Sequence, residues 1–340
     1  MWKLKARKFE HKASIDSLIT SIWPNASAES YEVVQSLWSD YGAIVRIILN
    51  TQSNEDSPQS LVAKVVSPPT SSQHPRGWNT DVSKTRKLRS YQVERRFYDH
   101  YAQLCPLACR VPRCYGSTSD DNGVLLILED LDRLYPVRCS QLNVQETKSC
   151  LHWLAAFHAK FFETTDSMLW ERGTYWHLQT RIDEFNAMPD GPLKQAAHEL
   201  DATLNACQFK TLLHGDAKVA NFCFNSACDQ VAAVDFQYTG SGCGMQDVAY
   251  FLGSCLAENE LQRHENQLLD GYFQALANEL SQFQPHIDPK RVEAEWRSLY
   301  SVSGADFHRF LSGWSPGHKK LTTYSASLVT RALHITDNHS

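Results

Sequence analysis

A short apolar run, TLL at 211–213, gives way to His214, Gly215 and Asp216, with Lys218 two residues and Asn221 five residues past the acid. A second apolar run, VAAV at 231–234, ends in Asp235. Both runs are expected to be strands whose ends lie next to each other. Two acids with an amide between them in sequence make an oxygen-rich set. Hard divalent cations such as Mg²⁺ take ligands of that kind. An acid left free of metal accepts a proton, and a nearby ammonium neutralises phosphate oxygens. Together these groups suit phosphoryl transfer from a Mg²⁺–nucleotide, where catalysis is mostly positioning and charge neutralisation.

Earlier in the chain two charged residues ask for each other. The periodic segment LRSYQVERRFYDHYAQL predicts a helix starting near Ser83, and Glu94 shares a face with Phe97, Tyr98 and Tyr101. A carboxylate on an inward face needs a cation or a set of donors. Lys64 sits in the middle of the apolar run SLVAKVV and makes the opposite demand. The simplest solution pairs the two.

The elements that must hold these groups follow from pattern. GAIVRIILN (42–50) and SLVAKVV (60–66) read as a hairpin across the polar turn TQSNEDSPQ, and GVLLILEDLD (123–132) opens with a third strand. From about Val144 helical patterns take over. CLHWLAAFHAKFF puts Leu151, Leu154, His158 and Phe161 on one stripe, and QDVAYFLGSCL, ENQLLDGYFQALANEL and a C-terminal region follow. Strands thus cluster early and helices late, predicting an α+β chain with a boundary near residues 130–133.

The segment HGDAKVAN followed by VDFQ resembles the catalytic loop and metal-binding segment of the kinase-like phosphotransferases: the aminoglycoside phosphotransferase, choline kinase and ecdysteroid kinase-like group. Gly215 and Gln237 stand where protein kinases carry Arg and Gly. ERRFY (94–98), FHAKFF (157–162) and LLDGYFQAL (268–276) are similar to stretches of the ecdysteroid kinase-like branch. The resemblance covers most of 40–280. It implies a two-lobed protein kinase-like fold: a small antiparallel-sheet N-lobe (1–130) that clamps nucleotide, and a larger, mainly helical C-lobe (131–340) with the catalytic loop and acceptor pocket. ATP would lie between them.

Carried over by position, the resemblance implies Asp216 as catalytic base toward a substrate hydroxyl, with Asn221 and Asp235 holding Mg²⁺. It implies Lys218 on the transferred phosphoryl group, and Lys64, oriented by Glu94, on the α- and β-phosphates. The Leu128–Leu131 segment, including Glu129, Asp130 and Leu131, would read adenine, and Asp247 would brace the catalytic loop. The phosphate-covering turn falls on WSDYGA (38–43), with Tyr41 and a single glycine, Gly42. The activity implied is ATP- and Mg²⁺-dependent transfer of the γ-phosphoryl group to a hydroxyl of a small molecule.

Plainer readings stand beside these. His214 is expected to pack under the loop rather than carry protons, and His158 to be a hydrogen-bonded core histidine. GSGCG at 240–244 does not have dinucleotide-loop spacing and is expected to be a flexible segment. RFLSGWSPGHKK (309–320) is either a helical turn in the core or a wall of the acceptor pocket around Trp314.

Rival functions are a protein kinase, disfavoured because no A-P-E segment follows Asp235, and a pseudokinase or nucleotide-binding regulatory module without turnover. Ten scattered cysteines without C-x-x-C spacing disfavour a thiol-redox or zinc protein and suit reduced core thiols. A formal charge of −5 implies no pull toward nucleic acid, and no apolar run is long enough for a membrane span. The basic start MWKLKARKFEHK has no apolar stretch behind it. The chain is therefore expected to be cytoplasmic, with ATP and a small hydroxyl acceptor as partners, and a monomer or weak dimer.

Overall fold

The structure, a computed structural model, describes residues 11–37, 41–51, 58–67, 81–120 and 123–337. Residues 38–40 of the expected phosphate-covering turn, most of the TQSNEDSPQ turn and residues 68–80 lie outside this set. The chain divides into two compact units, one of Met1–Leu104 with Pro112–Arg133, the other of Cys105–Val111 with Leu134–Ser340.

The first unit contains α1 (Lys12–Ile22), β1 (Ala26–Ser36), β2 (Gly42–Thr51), β3 (Ser60–Val66), α2 (Asp81–His100), β4 (Cys114–Asp120) and β5 (Gly123–Glu129). The strands form one antiparallel sheet in the order β1-β2-β3-β5-β4. Alternation sets what each face carries. Val45, Ile47 and Leu49 of β2, Leu61, Ala63 and Val65 of β3, and Leu125 and Ile127 of β5 pack with Ile15 and Ile19 of α1. Lys64 falls between Ala63 and Val65 and therefore points to the opposite face. The predicted hairpin is present, with Ile44 opposite Lys64. Helix α2 begins at Asp81, two residues before the expected Ser83. Strands β1 and β4 carry mostly exposed or half-buried residues, so their sequences lack the apolar alternation that reveals β2, β3 and β5.

The second unit comprises α3 (Val144–Lys160), α4 (Ile182–Ala187), α5 (Pro192–Gln195), α6 (Ala197–Asn205), β6 (Thr211–Leu213), β7 (Phe222–Phe224), β8 (Val231–Ala233), β9 (Gly240–Gly242), α7 (Met245–Cys255), α8 (Glu258–Phe283), α9 (Pro289–Trp314) and α10 (Thr323–Asp337). Helix α3 packs along α8, and α9 touches α4, α6, α7 and α10. The chain is thus α+β, with a five-stranded antiparallel sheet followed by a mainly helical part. No helix of the described residues is long and apolar enough to cross a membrane, and all ten cysteines are unbridged.

The strands preceding Asp216 and Asp235 lie in separate ladders, β6 with β9 and β8 with β7. One expectation is corrected. The GSGCG stretch is not a loose segment, because Gly240–Gly242 is strand β9 and its backbone completes the β6 ladder. Its hydrogen bonds come from the main chain, which glycine side chains do not announce.

Helix α3 starts with a capping box. The Asn143 side chain accepts from the N–H groups of Gln145 and Glu146 (both 2.9 Å), and Glu146 accepts from the Asn143 N–H (2.8 Å). Asn143→Ala should lower stability by about 1 kcal/mol. An unchanged urea midpoint and slope in that variant would contradict this.

Candidate active site

Strand β6 delivers the chain to His214, which is fully buried. Its Nε2–H donates to the Val234 carbonyl (3.0 Å), and its Nδ1 accepts from the Asp216 N–H (3.2 Å). Burial holds its pKa below the usual value, so the ring is neutral and serves as a spacer between the two acid-bearing loops. Gly215 adopts φ +79°, and a Cβ there would lie 2.0 Å from the Tyr238 carbonyl oxygen. Only glycine fits this turn. Asp247, in the first turn of α7 and fully buried, accepts from the N–H groups of His214 (2.6 Å) and Gly215 (3.0 Å) and from His158 Nε2 (3.2 Å). His158 Nδ1 meets the Tyr272 hydroxyl at 2.8 Å. One carboxylate thus ties α3 and α7 to the turn that presents Asp216.

Asp216 is 5% exposed and receives three side-chain donors. Tyr250 donates to Oδ1 (3.0 Å); Lys218 Nζ (2.6 Å) and Asn221 Nδ2 (3.2 Å) donate to Oδ2. An ionised carboxylate has about four lone-pair sites, so one remains for an incoming hydroxyl. Desolvation lowers the Lys218 pKa, but the charges of Asp216 and Asp235 outweigh it and the net shift is upward. Burial first, and the Asp216 charge second, push the Tyr250 phenol well up, so it stays a donor.

Asn221 also donates to the Asp216 carbonyl (2.8 Å), which commits its amide nitrogen and leaves Oδ1 as its ligating atom. Asp235 takes the left-handed conformation, φ +74°, uncommon for a residue with a side chain. Gln237 Nε2 donates to its Oδ1 at 2.6 Å. Among the described residues no three His, Cys, Asp or Glu side chains cluster as a metal cage. One carboxylate and one amide oxygen do fit Mg²⁺, which binds through one or two protein carboxylates and fills its shell with water and substrate phosphate.

Two tyrosines near Asp216 have no place in the sequence reading, and a lysine of the RFLSGWSPGHKK stretch joins them. Tyr250 follows Asp247 by three positions, one helical turn on, and that spacing could have flagged it. Its hydroxyl lies 3.2 Å from that of Tyr175, which has no sequence signal. Lys320, the basic end of the RFLSGWSPGHKK stretch, places Nζ 4.5 Å from the Tyr250 ring centroid. Trp314 stacks on Phe310 (5.7 Å) and joins the ring cluster of Tyr175, Trp176, Tyr250 and Phe307.

In the first unit Lys64 and Glu94, 5% and 1% exposed, meet at 2.7 Å, and Lys64 lies 5.9 Å from the Tyr91 ring centroid. Tyr41 is buried and stacks on Tyr91 (6.3 Å). Gly42 has φ +137°, and a Cβ there would lie 1.9 Å from the Val65 carbonyl oxygen. The one glycine of the expected turn therefore serves the close β2–β3 approach. Glu129 is engaged by Arg113 twice: its N–H donates to the Arg113 carbonyl (2.8 Å), and its carboxylate accepts from the Arg113 N–H (3.0 Å). Asp130 accepts from Arg46 Nε (2.8 Å), and Arg46 also bonds Asp132. Leu131 is buried at the start of a 3₁₀ turn. The Arg46 clamp had no signal in the sequence.

Residues 161–284 match the sequence model of the ecdysteroid kinase-like family. No curated protein sequence matches the chain significantly. Among solved structures, the fold is similar to that of the amicoumacin kinase hAmiN in complex with AMP-PNP, Ca²⁺ and Ami: 12% identity, 92% of this chain and 89% of that one, TM-score 0.52. It is also similar to a choline kinase from Cryptosporidium parvum Iowa II, with 12% identity, 91% and 89% coverage, and TM-score 0.50. The fold is that of the kinase-like small-molecule phosphotransferases.

Two variants test the turn. Gly215→Ala should destabilise the protein by about 1–2 kcal/mol from the left-handed backbone alone, and further from the clash with Tyr238. Asp247→Ala strands buried N–H groups and should cost roughly 3 kcal/mol or more. Denaturant midpoints equal to that of the wild type would refute the bracing role.

Proposed function

We propose that the protein transfers the γ-phosphoryl group of ATP to a hydroxyl of a small molecule. The observation that carries this reading is Asp216, a nearly buried carboxylate with three of its lone-pair sites filled and one left to receive a hydroxyl. The ecdysteroid kinase-like match over 161–284 and the kinase-like fold support it. In the transfer, the acceptor oxygen bonds to the γ-phosphorus and the bond to the β–γ bridging oxygen breaks. The hydroxyl proton goes to Asp216, and ADP leaves. Asp216 orients the hydroxyl, and Lys218 neutralises charge on the moving phosphoryl group. Lys64, held by Glu94, would meet the α- and β-phosphates. Asn221 and Asp235 would hold Mg²⁺, which supplies charge neutralisation on the phosphates when bound. Backbone groups around Glu129, Asp130 and Leu131 would contact the base, with Tyr41 and Gly42 at the root of the phosphate-covering turn.

A second reading, nucleotide binding without turnover, is favoured by Gly42 being the single glycine of that turn and being committed to strand packing. ADP release, measured with Mg²⁺–ATP over a panel of hydroxylated compounds, separates the two. Asp216→Asn should lower acceptor-dependent turnover by about 100- to 10,000-fold. Undiminished turnover in that variant would exclude Asp216 as the base. ATP binding without turnover on any acceptor would favour the second reading.

A further inference from the structure

Lys320 lies in the segment between α9 and α10 and packs its ammonium over two rings, 4.5 Å from the Tyr250 centroid and 5.5 Å from that of Phe307. Tyr250 is the residue whose hydroxyl holds Asp216 Oδ1. Among the described residues the Lys320 ammonium has no hydrogen-bond or ion-pair partner. Lys320 is half-buried, so its ammonium gives up part of its hydration without a protein acceptor in return, and ring faces offset only part of that cost. Burial accordingly draws its pKa down to about 8, against the opposing pull of Asp216 and with a further push from Lys218. A second cation, the Arg181 guanidinium, lies over Tyr175 (5.6 Å) and Phe310 (5.1 Å) of the same ring cluster and is paired with Glu184 (2.9 Å). Asp216, the carboxylate that the Tyr250 hydroxyl bonds, is already engaged by three donors. A cationic alcohol reaching Asp216 would therefore meet like charge at Lys320 and Lys218, whereas an anionic one would supply the ammonium with an acceptor.

We propose that Lys320 is a specificity-determining residue that binds an anionic group of the acceptor, so that the site selects ring-bearing alcohols carrying a carboxylate, sulfate or phosphate over cationic alcohols. The inference rests on Asp216 being the residue that meets the acceptor hydroxyl. It sets this site apart from one built for a quaternary ammonium, which needs an aromatic cage without a competing cation.

The test uses three matched probes: 4-(hydroxymethyl)benzoate, its neutral amide, and the corresponding benzyltrimethylammonium alcohol. Their binding to the full-length wild type, Lys320→Met and Lys320→Arg is measured by calorimetry, with melting temperatures as a folding control. The wild type should prefer the benzoate over the ammonium compound at least tenfold. Lys320→Met should lose at least tenfold in benzoate affinity and less than twofold for the amide, and Lys320→Arg should keep most of it. Equal affinities for the three probes, no binding of any of them, or a Lys320→Met variant that binds benzoate as the wild type does would each overturn the proposal. ADP release with the same probes keeps the two readings apart. Lys320-dependent benzoate binding without turnover would count against the kinase reading and leave the anion site standing. Turnover that falls equally for all three probes in Lys320→Met, with affinities unchanged, would assign Lys320 to the phosphoryl group and overturn the anion site.

Discussion

Asp247 takes two backbone N–H groups of the His214–Gly215 turn out of water and gives each an acceptor, while its third contact, to His158, anchors it to the long helix α3. A buried N–H without an acceptor costs about 1–3 kcal/mol, so this single side chain decides whether the turn holds its shape. Gly215 then lets the chain reverse close against Tyr238, and Asp216 emerges in fixed register. The neutral His214 ring carries that order sideways by joining Asp216 to Val234, one residue before Asp235. The β6–β9 and β7–β8 ladders are separate, and this imidazole joins the two acid-bearing loops alongside the Val234 N–H, which donates to the Asn221 carbonyl (3.0 Å) at the end of the β7–β8 pairing.

The two acids are held in different ways, and the difference matches the different roles proposed for them. Asp216 is surrounded by donors, which suits a group that must orient a hydroxyl with one remaining lone pair. Asp235 sits in a left-handed conformation with Gln237 on one oxygen. Such conformations persist only where the surroundings impose them, and they concentrate at functional positions. Asn221 joins the pair, since its amide nitrogen is committed to Asp216 and its oxygen faces away from that bond. A buried Lys64–Glu94 pair is by itself weak evidence of stabilisation, because desolvation offsets its attraction. A lysine fixed by such a pair is, however, well suited to meeting a phosphate.

Much of this arrangement is legible in the sequence. The apolar strands β2, β3 and β5 and the helices α3 and α7 declare themselves by period. Lys64 and Glu94 stand out because each is a charge in an apolar context. Asp216, Asn221 and Asp235 stand out by type and spacing. The missing parts share a physical cause: their structure is carried by contacts that periodicity does not encode. Strand β1 is exposed along most of its length, β9 is built from Gly-Ser-Gly, and the Arg46–Asp130 clamp joins residues 84 positions apart. Tyr175 meets Tyr250 through tertiary packing of the ring cluster and has no local signal, and Lys320, although in the RFLSGWSPGHKK stretch, comes to the Tyr250 ring the same way.

The claim that Asp235 serves the metal and Asp216 the hydroxyl is tested most directly by Mn²⁺–ATP binding, followed by electron paramagnetic resonance, in wild type, Asp235→Ala and Asp216→Asn. The account predicts that Asp235→Ala loses at least about tenfold in Mn²⁺–ATP affinity and that Asp216→Asn binds within about twofold of wild type, since metal ligands and proton acceptor act at different points of the transfer. Equal loss in both variants, or loss only in Asp216→Asn, would contradict the assignment.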